Sequence, residues 1–232
     1  MSTDRSIGVV AAQLKPVTMQ VNGRVIANFA WQHLKAATTF RDQVSSIELT
    51  FRDKPIGSFF EDIRSYCSGC IMSATASLEA LINELYIAPN CQLRSLLGDF
   101  EKEFWGENGI EGKRILAKYQ HALTLLGKDR IDEKSLVFRD ALNLIRLRNS
   151  LVHYKPVWDP DRKVRIDLKA ELTGKYQLSQ FVDEGADFVS MKCMSAGCAV
   201  WVVSTTLGFL REFDRHSQLD PKKMAGFWLF ET

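Results

Sequence analysis

Residues 135–154 read SLVFRDALNLIRLRNSLVHY, and the spacing of their apolar residues decides the fold class. Phe138, Leu142, Ile145 and Val152 form one apolar line, with Asn149 set into it. Leu144, Leu147 and Leu151 form a second line. Steps of three and four bring side chains to one face of an α-helix. Two apolar lines on one helix predict a position in the middle of a bundle. Arg139, Asn143, Arg146, Ser150 and His153 make a polar line that must face water, a cleft or a second subunit. Pro156 closes the helix and pushes Lys155 out of helical conformation.

The same spacing recurs along the chain and predicts five more helices. They are Arg24–Val44, Ser58–Tyr86, Cys91–Trp105, Gly112–Leu126 and Val189–His216. Ser58 with Glu61 three residues on has the spacing of a capping box. Gly106 and Gly127 follow the ends of two of these helices. Short extended pieces are expected at Gly8–Leu14, at Glu48–Phe51 and at Val164–Leu168, the last from its alternation of apolar and charged residues. No repeat, low-complexity tract or Pro/Gly/Ser-rich linker interrupts the pattern. The expectation is therefore one all-α domain over 1–232, a helical bundle with minor short extended segments. Its core helices run from about 58 to 216. Residues 1–57 and the aromatic tail 217–232, with Phe227, Trp228, Leu229 and Phe230, are read as appendages.

Bulk numbers agree with a packed domain. Of 232 residues, 46% are hydrophobic and 25% charged, which excludes intrinsic disorder. A net charge of +2 and a pI near 8.2 neither require nor exclude a nucleic-acid partner. Five cysteines, an odd number, point to a reducing cytoplasm. The opening MSTDRSIGVVAAQLKP reads as too short and too polar for a secretory leader. Cys193–Leu210 holds no charged residue, yet its serines, threonines and glycines favour a helix buried by neighbours over one in lipid.

The residues with chemistry to offer close the first helix described: Arg148, Asn149 and His153, with Arg146, Ser150 and Tyr154 around them. A histidine titrates near neutrality and can take or give a proton. An arginine carries a permanent charge on a planar fork that matches a phosphate. An amide can bond either phosphate or imidazole, and a tyrosine can stack on a base.

The stretch RNSLVHY, at Arg148, Asn149 and His153, resembles the HEPN superfamily (higher eukaryotes and prokaryotes nucleotide-binding). It is also similar to the nuclease extensions of the unfolded-protein-response kinase and of the 2-5A-dependent ribonuclease. A softer likeness covers SATASLEALINELY at 73–86, which resembles the early long helix of bacterial HEPN proteins. The resemblance implies a helical bundle that cuts RNA without metal or cofactor. In that chemistry the ribose 2′-hydroxyl attacks the adjacent phosphate and leaves a 2′,3′-cyclic phosphate. His153 would move the proton. Arg148 would stabilise the charge, with Arg146 as its substitute, and Asn149 would orient the phosphate or the imidazole. The resemblance further implies a homodimer with a composite active site, RNA as partner, and a toxin or phage-defence setting with an antitoxin or defence-system partner. The alternative is a non-catalytic HEPN-like module that binds nucleotide, RNA or protein. Five residues on an ideal helix span about 140° of rotation. Arg148 and His153 therefore meet only if the helix frays or tightens near Lys155 or if a second chain supplies one of them.

Other signals carry less. Cys67-Ser68-Gly69-Cys70 has metal and redox spacing but lacks a second ligand pair, so both thiols are expected in the core. Glu79, Asn83 and Glu84 could reach Arg148 if their helix packs beside it. Lys113, Arg114, Lys118, Lys128, Arg130 and Lys134 could form a phosphate-tracking patch or simply a solvated face.

Overall fold

The computed structural model describes residues 29–88, 91–155 and 163–219, with side chains from 166 onward in the last span. The chain forms an all-α bundle, and no strand occurs among the described residues. In chain order the helices are α1 (Ala30–Phe51), α2 (Phe59–Ile87), α3 (Gln92–Leu96), α4 (Phe100–Trp105), α5 (Ile115–Leu125), α6 (Leu136–Val152), α7 (Lys163–Leu172) and α8 (Ala196–Ser217). A single π-helical turn, Phe188–Lys192, precedes α8.

Helix α2 is the axis of the molecule. Phe60, Ile63, Cys67, Ile71, Ala74, Leu78 and Ile82 are buried along its length, and Cys70, Leu85 and Tyr86 are buried on further faces. A helix apolar on so many sides has to be surrounded. Helices α1, α6 and α8 pack around it, and α5 closes one end. Tyr119 of α5 sits edge-on between Phe209 and Phe213 of α8, at 5.0 and 4.8 Å between ring centroids. Its hydroxyl donates to the Leu78 carbonyl at 2.7 Å.

Helices α1 and α2 form an antiparallel hairpin. Phe51 and Phe59 stack at its closed end, 4.3 Å apart. At the open end the Glu84 carboxylate accepts hydrogen bonds from the Phe29 and Ala30 backbone N–H groups at 2.6 and 3.0 Å. One helix thus caps the next, in place of a cap from α1's own sequence. Glu84 does not reach Arg148.

Several expectations are corrected. Glu48–Phe51 is the last turn of α1, and Val164–Leu168 belongs to α7. Leu168 and Leu172 are buried four residues apart while Ile166 is exposed, so the period in that segment is helical. Gly8–Leu14 lies outside the described residues. Helix α1, within the segment read as an appendage, buries Leu34, Ala37 and Val44 against the bundle. Cys91–Trp105 is two short helices, because the chain turns extended at Leu97 and Asp99 then caps α4 by accepting from the Lys102 N–H. Ser58 makes no capping bond, and Glu61 instead pairs with Arg64 at 2.9 Å. Ser195 starts α8 by accepting from the Cys198 N–H at 3.0 Å, so the Val189–His216 helix is broken there. Where α8 begins, a Cβ on Gly197 would lie 2.5 Å from the Gln177 carbonyl oxygen, which only glycine avoids.

The uncharged stretch of α8 is explained by burial on several sides, from Cys198 and Val202 to Phe209 and Phe213. Thr206 returns its hydroxyl hydrogen to the Val202 carbonyl at 2.9 Å. Among the described residues no helix is long and apolar enough to cross a membrane.

The Glu84 cap yields a stability test. Burial raises its carboxyl above the ordinary value, against the pull of its two backbone hydrogen bonds. A raised folded-state value means that the fold holds this proton more tightly than the unfolded chain does. The associated stability is complete in acid and declines as pH rises past about 4.5. Glu84→Gln keeps an acceptor and removes the titration. Its melting temperature relative to the parent is expected to rise between pH 4 and pH 7. Glu84→Ala, which leaves two donors uncapped, is expected to cost about 1–2 kcal/mol at pH 7.

Candidate functional site

The helix that carries the motif starts and ends as its sequence suggests. Ser135 accepts the Phe138 N–H at 3.3 Å and opens α6. The last helical residue is Val152, and His153 is the C-cap with φ −101° and ψ 29°. Ala141, Leu144 and Leu147 are buried on the bundle side. Asn143, expected on the polar line, is buried as well. Its amide donates to Glu171 of α7 at 3.4 Å, and Arg139 pairs with the same carboxylate at 2.8 Å. The upper half of that polar line is therefore occupied by α7.

On its other side α6 borders a cleft of about 650 Å³. Phe138, Leu142 and Ile145 give it an apolar floor, and Arg146, Arg148 and Asn149 stand along the same wall. The opposite wall is the start of α5 with Lys113 and Arg114, and the loop after α5 adds Arg130 and Glu133. Glu79 of α2 also lines it. Five cations thus meet two carboxylates. Glu133 is spent on Arg130 at 2.8 Å. The first turn of α5 holds no acidic residue and no side-chain cap, so its positive end adds to the field.

Glu79 organises the back of the cleft. Its carboxylate lies 3.6 Å from the Lys118 ammonium and 3.9 Å from the Arg148 guanidinium. Lys118 is 2% exposed and also donates to the Asn83 amide oxygen at 3.0 Å. A buried cation of this kind requires such partners. The distance to Arg148 is too long for a hydrogen bond. Arg148, its side chain 26% exposed, has this loose ion pair with Glu79 and makes no hydrogen bond to any described residue.

The six motif residues are divided by the fold. Arg146, Arg148 and Asn149 line the cleft. Ser150 returns its hydroxyl hydrogen to the Arg146 carbonyl at 2.9 Å. Tyr154 donates to the Ser190 hydroxyl at 3.3 Å and so faces the π-helical turn. His153 is exposed at the helix end and does not line the cleft. The helix end leaves α-helical form at His153, where the Tyr154 N–H donates to the Leu151 carbonyl at 3.2 Å, and His153 is not among the residues that line the cleft with Arg148.

Gln120 escaped the sequence reading. It is buried, and its amide bonds the Ile131 carbonyl at 2.6 Å and the Ile131 N–H at 3.0 Å. That pair of bonds fastens the loop bearing Arg130 to α5. A lone glutamine in an amphipathic helix carries no signal for this. The basic run 113–134 is also sorted: Lys113, Arg114 and Arg130 enter the cleft, Lys118 is buried, and Lys128 bonds Gln218 at 2.6 Å.

All five cysteines are free and buried. Burial raises the Cys70 thiol, and pushes Cys193 up to about 12, despite the bond Cys193 receives from the Tyr176 hydroxyl at 3.2 Å. Such thiols are inert core groups. Among the described residues no cluster of His, Cys, Asp and Glu could hold a metal ion.

No protein-family model, curated protein or solved structure matches this chain.

The Glu79 triad gives a second test. Glu79→Gln leaves the Lys118 ammonium with neutral partners only. Because Glu79 is 44% exposed, the full penalty for breaking a buried pair does not apply. The expected loss is about 1–2 kcal/mol in denaturant unfolding, and Glu79→Gln combined with Lys118→Met is expected to recover most of it.

Proposed function

We propose that the protein is a metal-independent endoribonuclease that cleaves RNA by attack of a ribose 2′-hydroxyl on the adjacent phosphate. The observation that carries this reading is the Arg148 fork, half-buried in a cationic cleft with no hydrogen bond to a described residue, five residues before an exposed histidine. Arg148 and Asn149 hold the scissile phosphate. His153 takes the proton from the 2′-hydroxyl, the oxygen bonds to phosphorus, and the bond to the 5′-oxygen breaks as that oxygen takes a proton from water. The products are a 2′,3′-cyclic phosphate and a 5′-hydroxyl. The guanidinium lowers the barrier by meeting charge that grows on the phosphoryl oxygens. Since His153 lies outside the cleft of its own chain, the active unit is a homodimer in which a second copy brings His153 to the phosphate. The setting that follows from the HEPN resemblance is the cytoplasm, in a toxin or antiviral defence system with a protein partner.

A second reading has its own support. Arg148 is near Glu79 and His153 is outside the cleft, an arrangement that serves a HEPN-like module that binds RNA or nucleotide without cutting.

One experiment separates them. Purified protein is expected to cleave single-stranded RNA in EDTA and to leave cyclic-phosphate ends. Arg148→Ala and His153→Ala are each expected to reduce the rate by about 100-fold or more. Mixing the two inactive variants is expected to restore activity, because a mixed dimer keeps one intact composite site. Unchanged cleavage by His153→Ala would remove the nuclease proposal. RNA binding lost in Arg148→Ala, with no cleavage by the parent, would establish the binding module.

A further inference from the structure

The cleft beside α6 has cations on two walls, and the motif accounts for one of them. Arg146 and Arg148 stand on α6. Lys113, Arg114 and Arg130 come from the start of α5 and the loop that follows it. Between the walls lies a strip of Leu142, Ile145 and Leu116. Among the described residues no carboxylate lies within 4.0 Å of Lys113, Arg114 or Arg146. This charge is held in place by structure: Gln120 pins the loop of Arg130 through two buried hydrogen bonds. Three like-charged side chains gathered without counter-charge raise the energy of the empty cleft, and an anion relieves that cost.

The volume, about 650 Å³, is that of a site for a ligand of nucleotide size or more, well beyond a lone phosphate. Two cationic walls with an apolar strip between them suit a chain that alternates anionic links with flat, weakly polar groups. A single strand of nucleic acid has that chemistry, with bases free to lie on the strip. A duplex hides its base faces and would leave the strip uncovered. Arginine forks, four of the five cations, match phosphate oxygens in pairs.

We propose that this cleft seats at least two successive phosphates of single-stranded RNA, one on Arg146 and Arg148 and a neighbouring one on Lys113, Arg114 and Arg130. The nucleotide between them lies on Leu142 and Ile145. The inference rests on the RNA reading above and extends it, since Lys113, Arg114 and Arg130 lie outside the motif. They are binding residues that touch no reacting atom.

The test is fluorescence anisotropy with a labelled, single-stranded 2′-O-methyl oligoribonucleotide, which cannot be cut by 2′-hydroxyl attack. All three added residues are exposed, so Lys113→Gln/Arg114→Gln/Arg130→Gln is expected to fold like the parent. It is expected to bind at least tenfold more weakly. Its affinity should also fall less steeply with salt, with a log–log slope shallower by roughly 2, at about 0.7 per lost contact. Exposed Lys54→Gln, in the turn between α1 and α2, is expected to bind like the parent. If the triple variant keeps parental affinity and slope, or if a hairpin duplex binds as well as the strand, the inference is overturned. Cleavage of unmodified RNA by the parent then leaves the nuclease reading intact. Loss of binding in the triple variant with no cleavage by the parent sustains the cleft and ends the nuclease reading. No binding by the parent overturns both.

Discussion

Helix α2 imposes the main constraint on this bundle. It is apolar on more faces than any one partner can cover, so α1, α6 and α8 must surround it. Burying each large side chain there is worth about 1.5–3 kcal/mol relative to exposure, which outweighs any local preference in the shorter elements. Once α2 is enclosed, little freedom remains for α5. Tyr119 must reach the Leu78 carbonyl, and the Tyr86 hydroxyl must reach the Lys118 carbonyl at 3.0 Å.

The cleft is a by-product of that enclosure. Lys118 is drawn inside with α5, and its charge forces Glu79 and Asn83 of α2 to answer it. Glu79 then stands near Arg148 of α6, linking three helices through one carboxylate. The wall opposite α6 follows from the same placement, because the first turn of α5 and the loop pinned by Gln120 have nowhere else to go. A site for an anion therefore comes from packing as much as from any short motif.

Some parts of the molecule were legible in its residues. Apolar spacing is a local property, and it located α2, α5 and α6 closely. The Ser135 cap and the proline after α6 are local signals too, and they bounded that helix well. The misread parts are those in which a neighbour decided. Val164–Leu168 alternates like a strand, but Leu168 and Leu172 found a shared core face and the segment is helical. Ser58 had capping-box spacing, while Glu61 had a better partner in Arg64. Asn143 read as part of a polar line until α7 covered it with Glu171.

The sequence by itself determined that the chain is all-α, where its main helices lie, and that Arg148, Asn149 and His153 share one helix end. Those facts follow from periodicity and spacing along a single element. Only the tertiary structure decided which of them meet. It put Arg148 and Asn149 in a cleft with Lys113, Arg114 and Arg130, and it left His153 outside. The reason is rotational: a helix fixes the angle between its own side chains, but which face turns toward which neighbour is set by the burial of the whole bundle.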